Sequence, residues 1–348
     1  MEIRIYNSDL DLQGIIENQT SLLWTRKYYE AGEFELHAPI TDGNIKLLNI
    51  GNLVSMHGQD DAGIIEDIEY EENSEDNEIT AQGRFLSAYM DYRLIRGTVN
   101  LNETVEVAMR RLLSEATAIP RVELDSLQGF AKKVTGQVTY KNLLSFMTKL
   151  AKYGTLGYRF KPDFTAKKII FEIYQGKDRS VEQTDNSRVI FSENYDNLNQ
   201  VTYRANDQSY ANVAYVIGKD ANEAEVLVTV GDLDSTGLDR REVYVDGTSV
   251  SATDLSESEF LAALKQEGQN TLNADCFSET FECETNAAGN FNYREHYDLG
   301  DVVTVRKSGW GMQKSLRITE LLETYEYGSM TVTPTLGTPL PTSIDWED

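Results

Sequence analysis

One short pattern is written twice in this chain, and that repetition limits the possible folds more than any other feature. The first copy begins Phe34-Glu35-Leu36-His37-Ala38, passes through Ile50-Gly51-Asn52-Leu53-Val54-Ser55-Met56 and closes with Ile64-Ile65-Glu66-Asp67-Ile68-Glu69-Tyr70. The second begins Phe281-Glu282-Cys283-Glu284-Thr285, passes through Leu299-Gly300-Asp301-Val302-Val303-Thr304-Val305 and closes with Arg317-Ile318-Thr319-Glu320-Leu321-Leu322-Glu323. Phe34, Gly51 and Val54 mark the first copy; Phe281, Gly300, Asp301 and Val303 mark the second. From Phe to Gly the spacing is 17 residues in one and 19 in the other. Each piece alternates apolar and polar residues, the period of a half-buried strand. Two related β-units in one chain predict a duplicated barrel or sandwich, an arrangement suited to building rings.

The expected fold is therefore mainly β with α+β insertions. Residues 1–90 read as a first β-barrel-like domain, completed by strands from 188–235. Turn signals separate its short alternating runs, among them Ala31-Gly32, Thr41-Asp42-Gly43-Asn44 and the charged hairpin tip at 73–77. A helical turn at 42–48 is expected, with Asp42 as its cap. Residues 91–187 read as an inserted α+β domain. There Asn102 is the expected N-cap of a helix at 103–116, with Glu103 and Glu106 in a first turn that favours negative charge. Thr139 is the expected cap of a second helix at 140–152, ended by Gly154. Residues 188–335 read as a second β-barrel-like domain interrupted by a helix at about 256–272, where Ser256-Glu257-Ser258-Glu259 has capping-box spacing. Residues 336–348 read as an extended tail. Which strands of 188–250 complete which barrel stays open.

Charge excludes several functions. Lys and Arg total 32 against 57 Asp and Glu, a net charge of −25. Such a chain repels nucleic acid and gains nothing from an anionic lipid surface. Two cysteines, Cys276 and Cys283, lie an odd number of residues apart. On one strand they point to opposite faces, so no disulfide framework is expected, as in a reducing cytosol. No signal core and no run of 18 apolar residues occurs, so membrane insertion is not expected.

The chain has no strong catalytic motif. Its three histidines, at 37, 57 and 296, lack a nucleophile elbow or metal-ligand spacing. Asp232-Leu233-Asp234-Ser235-Thr236-Gly237 matches a calcium loop only at its opening. Thr236 stands where an acid is needed and Val243 where a glutamate is needed, so it reads as a polar turn. No phosphate loop or dinucleotide fingerprint occurs, and no cofactor or metal is expected. Among 57 acids some pair always has glycosidase spacing, so paired carboxylates carry little weight. Trp24-Thr25-Arg26-Lys27-Tyr28-Tyr29-Glu30 holds residue types favoured at interfaces. This makes Trp24, Arg26, Tyr28, Tyr29 and, in the tail, Trp346 candidate interface residues; a packed aromatic strand is the competing reading.

Leu22 to Leu36, Ala62-Gly63-Ile64-Ile65-Glu66 and Gly83-Arg84-Phe85-Leu86, with Tyr297-Asp298-Leu299-Gly300-Asp301-Val302-Val303, resemble siphophage and prophage tail proteins of the baseplate-hub (tail-associated) type, in the ReqiPepy6-like tail family. The resemblance spans about residues 1–335. It implies two related barrels per chain and a homotrimer whose six barrels form a pseudo-sixfold ring joining tail tube to tip. It also implies other tail proteins as partners, and a virion location after synthesis in the bacterial cytoplasm. The family often carries a lytic or receptor-binding extension; with the sequence ending at 348, lytic activity is not expected, and no catalytic residue carries over. The leading expectation is a non-enzymatic structural protein whose acidic lumen passes DNA without binding it. The alternative is a carbohydrate-active enzyme or glycan-binding module built on acidic and aromatic cleft residues, with any glycan receptor unidentified.

Overall fold

The computed structural model describes the chain apart from residues 73–76, 196, 209, 249, 251, 253–255, 275–277, 286–289, 327 and 338–348. Most of the expected hairpin tip, Cys276, Trp346 and the tail beyond 337 lie outside the described residues. The rest divides into two units: Met1–Thr202 with Phe281–Gly337, and Tyr203–Thr280.

The first unit opens with β1 (Ile3–Tyr6), β2 (Leu12–Ile16), β3 (Ser21–Lys27) and β4 (Glu33–Pro39), followed by the short helix α1 (Asp42–Leu47). Then come β5 (Leu53–Met56), β6 (Ala62–Ile64), β7 (Asp67–Glu72) and β8 (Asn77–Arg84). Thr41, not Asp42, caps α1: its hydroxyl accepts from the Asn44 N–H at 3.1 Å. A small sheet of order β2-β1-β5-β6 lies against the β3-β4-β8-β7 portion of a larger one. Ile3, Ile5, Val54 and Met56 from the first meet Leu22, Trp24, Phe34, Leu36 and Ile79 from the second in one buried cluster. The expected barrels are thus stacked sheets, and no closed barrel forms among the described strands.

Between the two copies run β9 (Thr98–Thr104), α2 (Val105–Glu115), β10 (Val122–Leu124), β11 (Lys133–Thr139), α3 (Leu143–Gly154), β12 (Gly157–Asp163) and β13 (Lys168–Tyr174). The helices start later than expected. Thr104 caps α2 and Asn142 caps α3, each side-chain oxygen accepting from a first-turn N–H. Antiparallel pairing of β9 with β11 pulls Asn102 and Thr139 into strands, from Thr98↔Thr139 to Lys133↔Thr104. Glu106 is buried within α2 and accepts from the N–H groups of Gln128, Gly129 and Phe130 at 2.6, 2.8 and 3.0 Å, which pins that loop.

After β14 (Ile190–Ser192) the chain leaves the first unit through β15 (Leu198–Asn206). The second unit holds β16 (Val213–Lys219), β17 (Glu225–Gly231), β18 (Glu242–Asp246) and α4 (Glu257–Ala274). Its sheet order is β17-β16-β18. Phe260 and Leu264 of α4 pack on Val216 and Val228. The capping box forms: Ser256 N–H donates to Glu259 at 2.9 Å, and Glu259 N–H donates back to the Ser256 hydroxyl at 3.4 Å. The chain then returns to the first unit through β19 (Ser278–Thr285), β20 (Val302–Lys307), β21 (Met312–Glu326) and β22 (Ser329–Leu336).

The glycine turns of the two written copies make matching backbone bonds. Gly51 and Gly300 both take left-handed backbone, at φ +86° and +89°. Gly51 N–H donates to the Ile65 carbonyl and Ile65 N–H to the Asn52 carbonyl, both at 2.8 Å. Gly300 and Ile318 exchange the matching bonds at 2.9 and 2.8 Å, with Asp301 in the place of Asn52. Leu53 then pairs with Ile64 as Val302 pairs with Arg317. Further on, Phe34 faces Gly83 and Phe281 faces Leu336 at corresponding rungs. In the second copy β21 is one long strand doing the work of β6 and β7, with a register irregularity between Ile318 and Glu320.

Candidate functional site

The large sheet runs β15-β19-β22-β21-β3-β4-β8-β7. Read in fours, this is one order used twice: β15-β19-β22-β21 repeats β3-β4-β8-β7. The last strand of the second copy, β21, pairs antiparallel with the first strand of the first copy, β3, from Glu320↔Lys27 to Glu326↔Ser21. That leaves β7 and β15 at the two ends of the order. β7 reads Asp67-Ile68-Glu69-Tyr70-Glu71-Glu72 and is mostly exposed. A charged, solvent-facing edge resists unselective strand addition.

One face of this sheet buries the core, and alternation puts a largely polar face on the other side, interrupted by Leu23 and Leu322. The ladders align Asp67, Glu69 and Glu71 of β7 with Gln82, Thr80 and Glu78 of β8, and these with Glu35, His37 and Pro39 of β4, where Glu33 pairs with Arg84. Across the junction the same face carries Thr25 and Lys27, then Glu320 and Glu326, then Thr335, Thr333 and Thr331. The face is strongly acidic, with Lys27 and Arg84 as its clearest cations. His37 is wedged between carboxylates, with Nε2 2.7 Å from Glu35 and Nδ1 2.9 Å from Glu78. Burial alone would lower its pKa, but these two carboxylates outweigh burial and raise it. Thus His37 balances charge on this face. His57 is exposed in a turn, and His296 Nδ1 lies 2.9 Å from the Asn292 N–H in a loop.

The described candidate interface residues, Trp24, Arg26, Tyr28 and Tyr29, lie inside the chain. Trp24, Tyr28 and Tyr29 are buried, and Arg26 is only 5% exposed. β3 is central, paired on both edges by β4 and β21, and its Trp24 face packs on Ile3, Ile5 and Val54 of the small sheet. Trp24 makes tilted ring contacts with Phe34 and Phe85. Arg26 is the hub of a buried ionic network. It donates to Asp61 at 3.0 Å and to both Asp298 and the Tyr293 hydroxyl at 2.7 Å. Tyr293 in turn donates to Glu323 at 2.6 Å, and Glu323 also accepts from Gln59, Tyr325 and Arg294. Burial works against the Arg26 charge, but Tyr293, Asp61 and Asp298 outweigh it and hold the guanidinium firmly protonated. The network joins the 59–61 loop of the first copy to the 293–298 loop and β21 of the second. Its carboxylates are engaged in holding the copies together.

The repeat markers have equally structural roles. Phe34, Val54, Phe281 and Val303 are core residues. Asp301 accepts from Lys177 N–H and from the Arg179 guanidinium, both at 2.7 Å. Cys283 is buried, which pushes its thiol pKa up. Among the described residues no group of acids, histidines and cysteines is arranged to hold a metal. No helix there is long and apolar enough to cross a membrane.

Comparison with known proteins follows the same lines. The family model for Siphovirus ReqiPepy6 Gp37-like protein matches residues 2–338. A 43 kDa tail protein of prophage MuSo2 from Shewanella oneidensis superposes with a TM-score of 0.61 at 15% identity, over 97% of this chain and 99% of that one. A tail protein from Neisseria meningitidis MC58 gives 0.63 at 14% identity, over 98% of each chain. Prophage tail protein gp18 from Listeria monocytogenes EGD-e gives 0.55 at 14% identity, over 100% of this chain and 96% of that one. No curated protein matches.

Proposed function

Because the chain belongs to the Siphovirus ReqiPepy6 Gp37-like family of phage tail proteins, we propose that it is a non-enzymatic, ring-forming structural subunit of a (pro)phage tail tip. Three subunits close a baseplate-hub ring that joins the tail tube to the tip. The observation that carries this reading is the doubled strand order of the large sheet. Within one chain, the end of one copy is zipped to the start of the other by β21 and β3. Between chains, β7 is the end of the first copy and β15 the start of the second. Pairing β7 of one subunit with β15 of the next repeats the internal junction. It is a head-to-tail contact, and such contacts close into rings when the rotation allows. Three subunits then supply six copies, and the sheet edges disappear into the ring.

In such a ring the acidic sheet face turns inward. DNA sliding past Asp67, Glu69, Glu35 and Glu320 meets like charge and finds no counterions to release by binding. Passage without sticking follows. The domain reading accompanies this: each copy with its small sheet is one ring element, and 91–187 is an insertion between copies.

The test is cross-linking of assembled tails. Glu69→Cys in β7 is combined with Val201→Cys or Tyr203→Cys in β15, and the tails are oxidised. The expected result is a ladder that ends at three subunits. Its absence for every position tried along β15 sinks the edge pairing.

A further inference from the structure

The unit at 203–280 carries a surface that its own fold does not use. β16 turns Ala214, Val216 and Gly218 toward α4; Gly218 lies so close to Leu264 that a side chain there would overlap it. By alternation, Tyr215 and Ile217 point to the opposite face. The register sets Tyr244 beside Tyr215 and Leu227 beside Ile217. Leu227 and Tyr244 remain 59% and 62% exposed, so this face is open.

The loop from β17 to β18 extends the same side and presents Leu238, which is 98% exposed. Its backbone is nevertheless fixed. Asn212 donates to the Ser235 hydroxyl at 3.1 Å and to the Asp239 carbonyl at 2.8 Å. The Arg240 guanidinium donates to the Leu233 and Ser235 carbonyls at 3.2 and 3.1 Å, and to the Tyr215 hydroxyl at 3.0 Å. The loop is thereby tied to the open face. Ordering a leucine in water costs entropy and returns nothing to the isolated fold. A pre-ordered apolar anchor does lower the cost of binding.

We infer that this face docks a second, different protein through an apolar cleft rimmed by lysine and arginine. The charge selects that occupant. Residues 203–280 contain five Lys and Arg against fifteen Asp and Glu. Asp232, Asp234 and Asp239 flank the exposed leucines, and Arg240 is already paired with Glu242 at 2.6 Å. A second copy of this face brings like charges together, whereas a basic rim meets them with opposite charge. Exposed leucines at 227, 233 and 238 suit an apolar protein cleft better than a sugar ring. This inference goes beyond the ring and does not depend on it.

The experiment places the photo-cross-linker p-benzoylphenylalanine at Leu238 in the full chain, in cells that assemble the particle, and identifies the cross-linked peptide by mass spectrometry. The expected product joins this chain to one different protein, at a peptide flanked by lysine or arginine. The yield should fall several-fold between 0.05 and 0.5 M salt as the charges are screened. Leu227→Ser should lower it about ten-fold, the loss of roughly one buried leucine contact, with the unfolding midpoint unchanged. Leu127→Ser, an exposed leucine of the other unit, should leave it unchanged. A cross-link to a second copy, to polysaccharide or to nothing overturns the inference. β7 edge variants that abolish the ring should leave the cross-link in place, so the two readings fail separately.

Discussion

Replacing Arg26 by methionine isolates the energetic role of the buried network. Methionine keeps most of the apolar stem, so the main loss is the charge and its hydrogen bonds. Asp298 is 47% exposed in its side chain and water can take over its solvation. Asp61 is 8% exposed in its side chain and cannot be hydrated in the same way. Removing one partner of a buried pair costs about 3–5 kcal/mol, because the other charge is left uncompensated. Here Arg159 contributes attraction at Asp61, so the lower end, about 3 kcal/mol, is expected. The assay is urea unfolding followed by tryptophan fluorescence, to which Trp24, fully buried on the same strand, contributes. The double variant Arg26→Met, Asp61→Asn removes the stranded charge and should recover at least about 1 kcal/mol of that loss. A single-variant loss under about 1 kcal/mol, or a double variant no better than the single, would refute the claim that Asp61 is the group Arg26 compensates.

Other outcomes follow from individual residues. Gly51 and Gly300 share a left-handed backbone, but a Cβ on Gly51 meets open space, whereas one on Gly300 overlaps the buried Tyr28 ring. Gly51→Ala should therefore cost about 1–2 kcal/mol, the backbone strain alone, and Gly300→Ala clearly more, as measured by urea midpoints at constant m-value; equal costs would contradict the packing difference. His37 has a folded pKa raised by Glu35 and Glu78. Its contribution to stability is therefore complete below the unfolded pKa of about 6.5 and is lost as pH rises through the higher folded value. His37→Gln should destabilise more at pH 6 than at pH 9, and a pH-independent difference would rule out the charged bridge.

The duplication was legible because its markers do structural work that depends on residue type. The left-handed turn at Gly51 and Gly300 favours glycine, and Phe34 and Phe281 fill matching core positions. Helix starts were less legible, since Asn102 and Thr104, or Thr139 and Asn142, are equally able caps. The choice was made by the β9–β11 ladder, a non-local pairing that local pattern does not show. The same holds for Trp24, Arg26, Tyr28 and Tyr29. Their composition suits an exposed anchor as well as a core; Trp24 is buried because the small sheet covers its face of β3, and Arg26 because its partners Tyr293 and Asp298 come from about 270 residues away in sequence. The network around Arg26 was invisible for that reason, as its members come from 26, 59–61, 293–298 and 323–325.

Strand order also accounts for the region that sequence left open, 188–250. β15 occupies in the second copy the place that β3 holds in the first, and β19 the place of β4. In the first copy those two strands are joined by the short turn at 28–32. In the second copy the equivalent connection has been opened to admit the whole unit that carries β16–β18 and α4. A hairpin turn tolerates such growth because lengthening a closed loop adds little entropy cost, about 0.6 kcal/mol per doubling. It also leaves the ladder on either side unchanged. Sites of this kind let a duplicated scaffold keep the same strand order while one copy gains a new surface. The sheet carries what the two copies must share. The inserted unit carries what only one of them has, including Leu238 and the open face beside it.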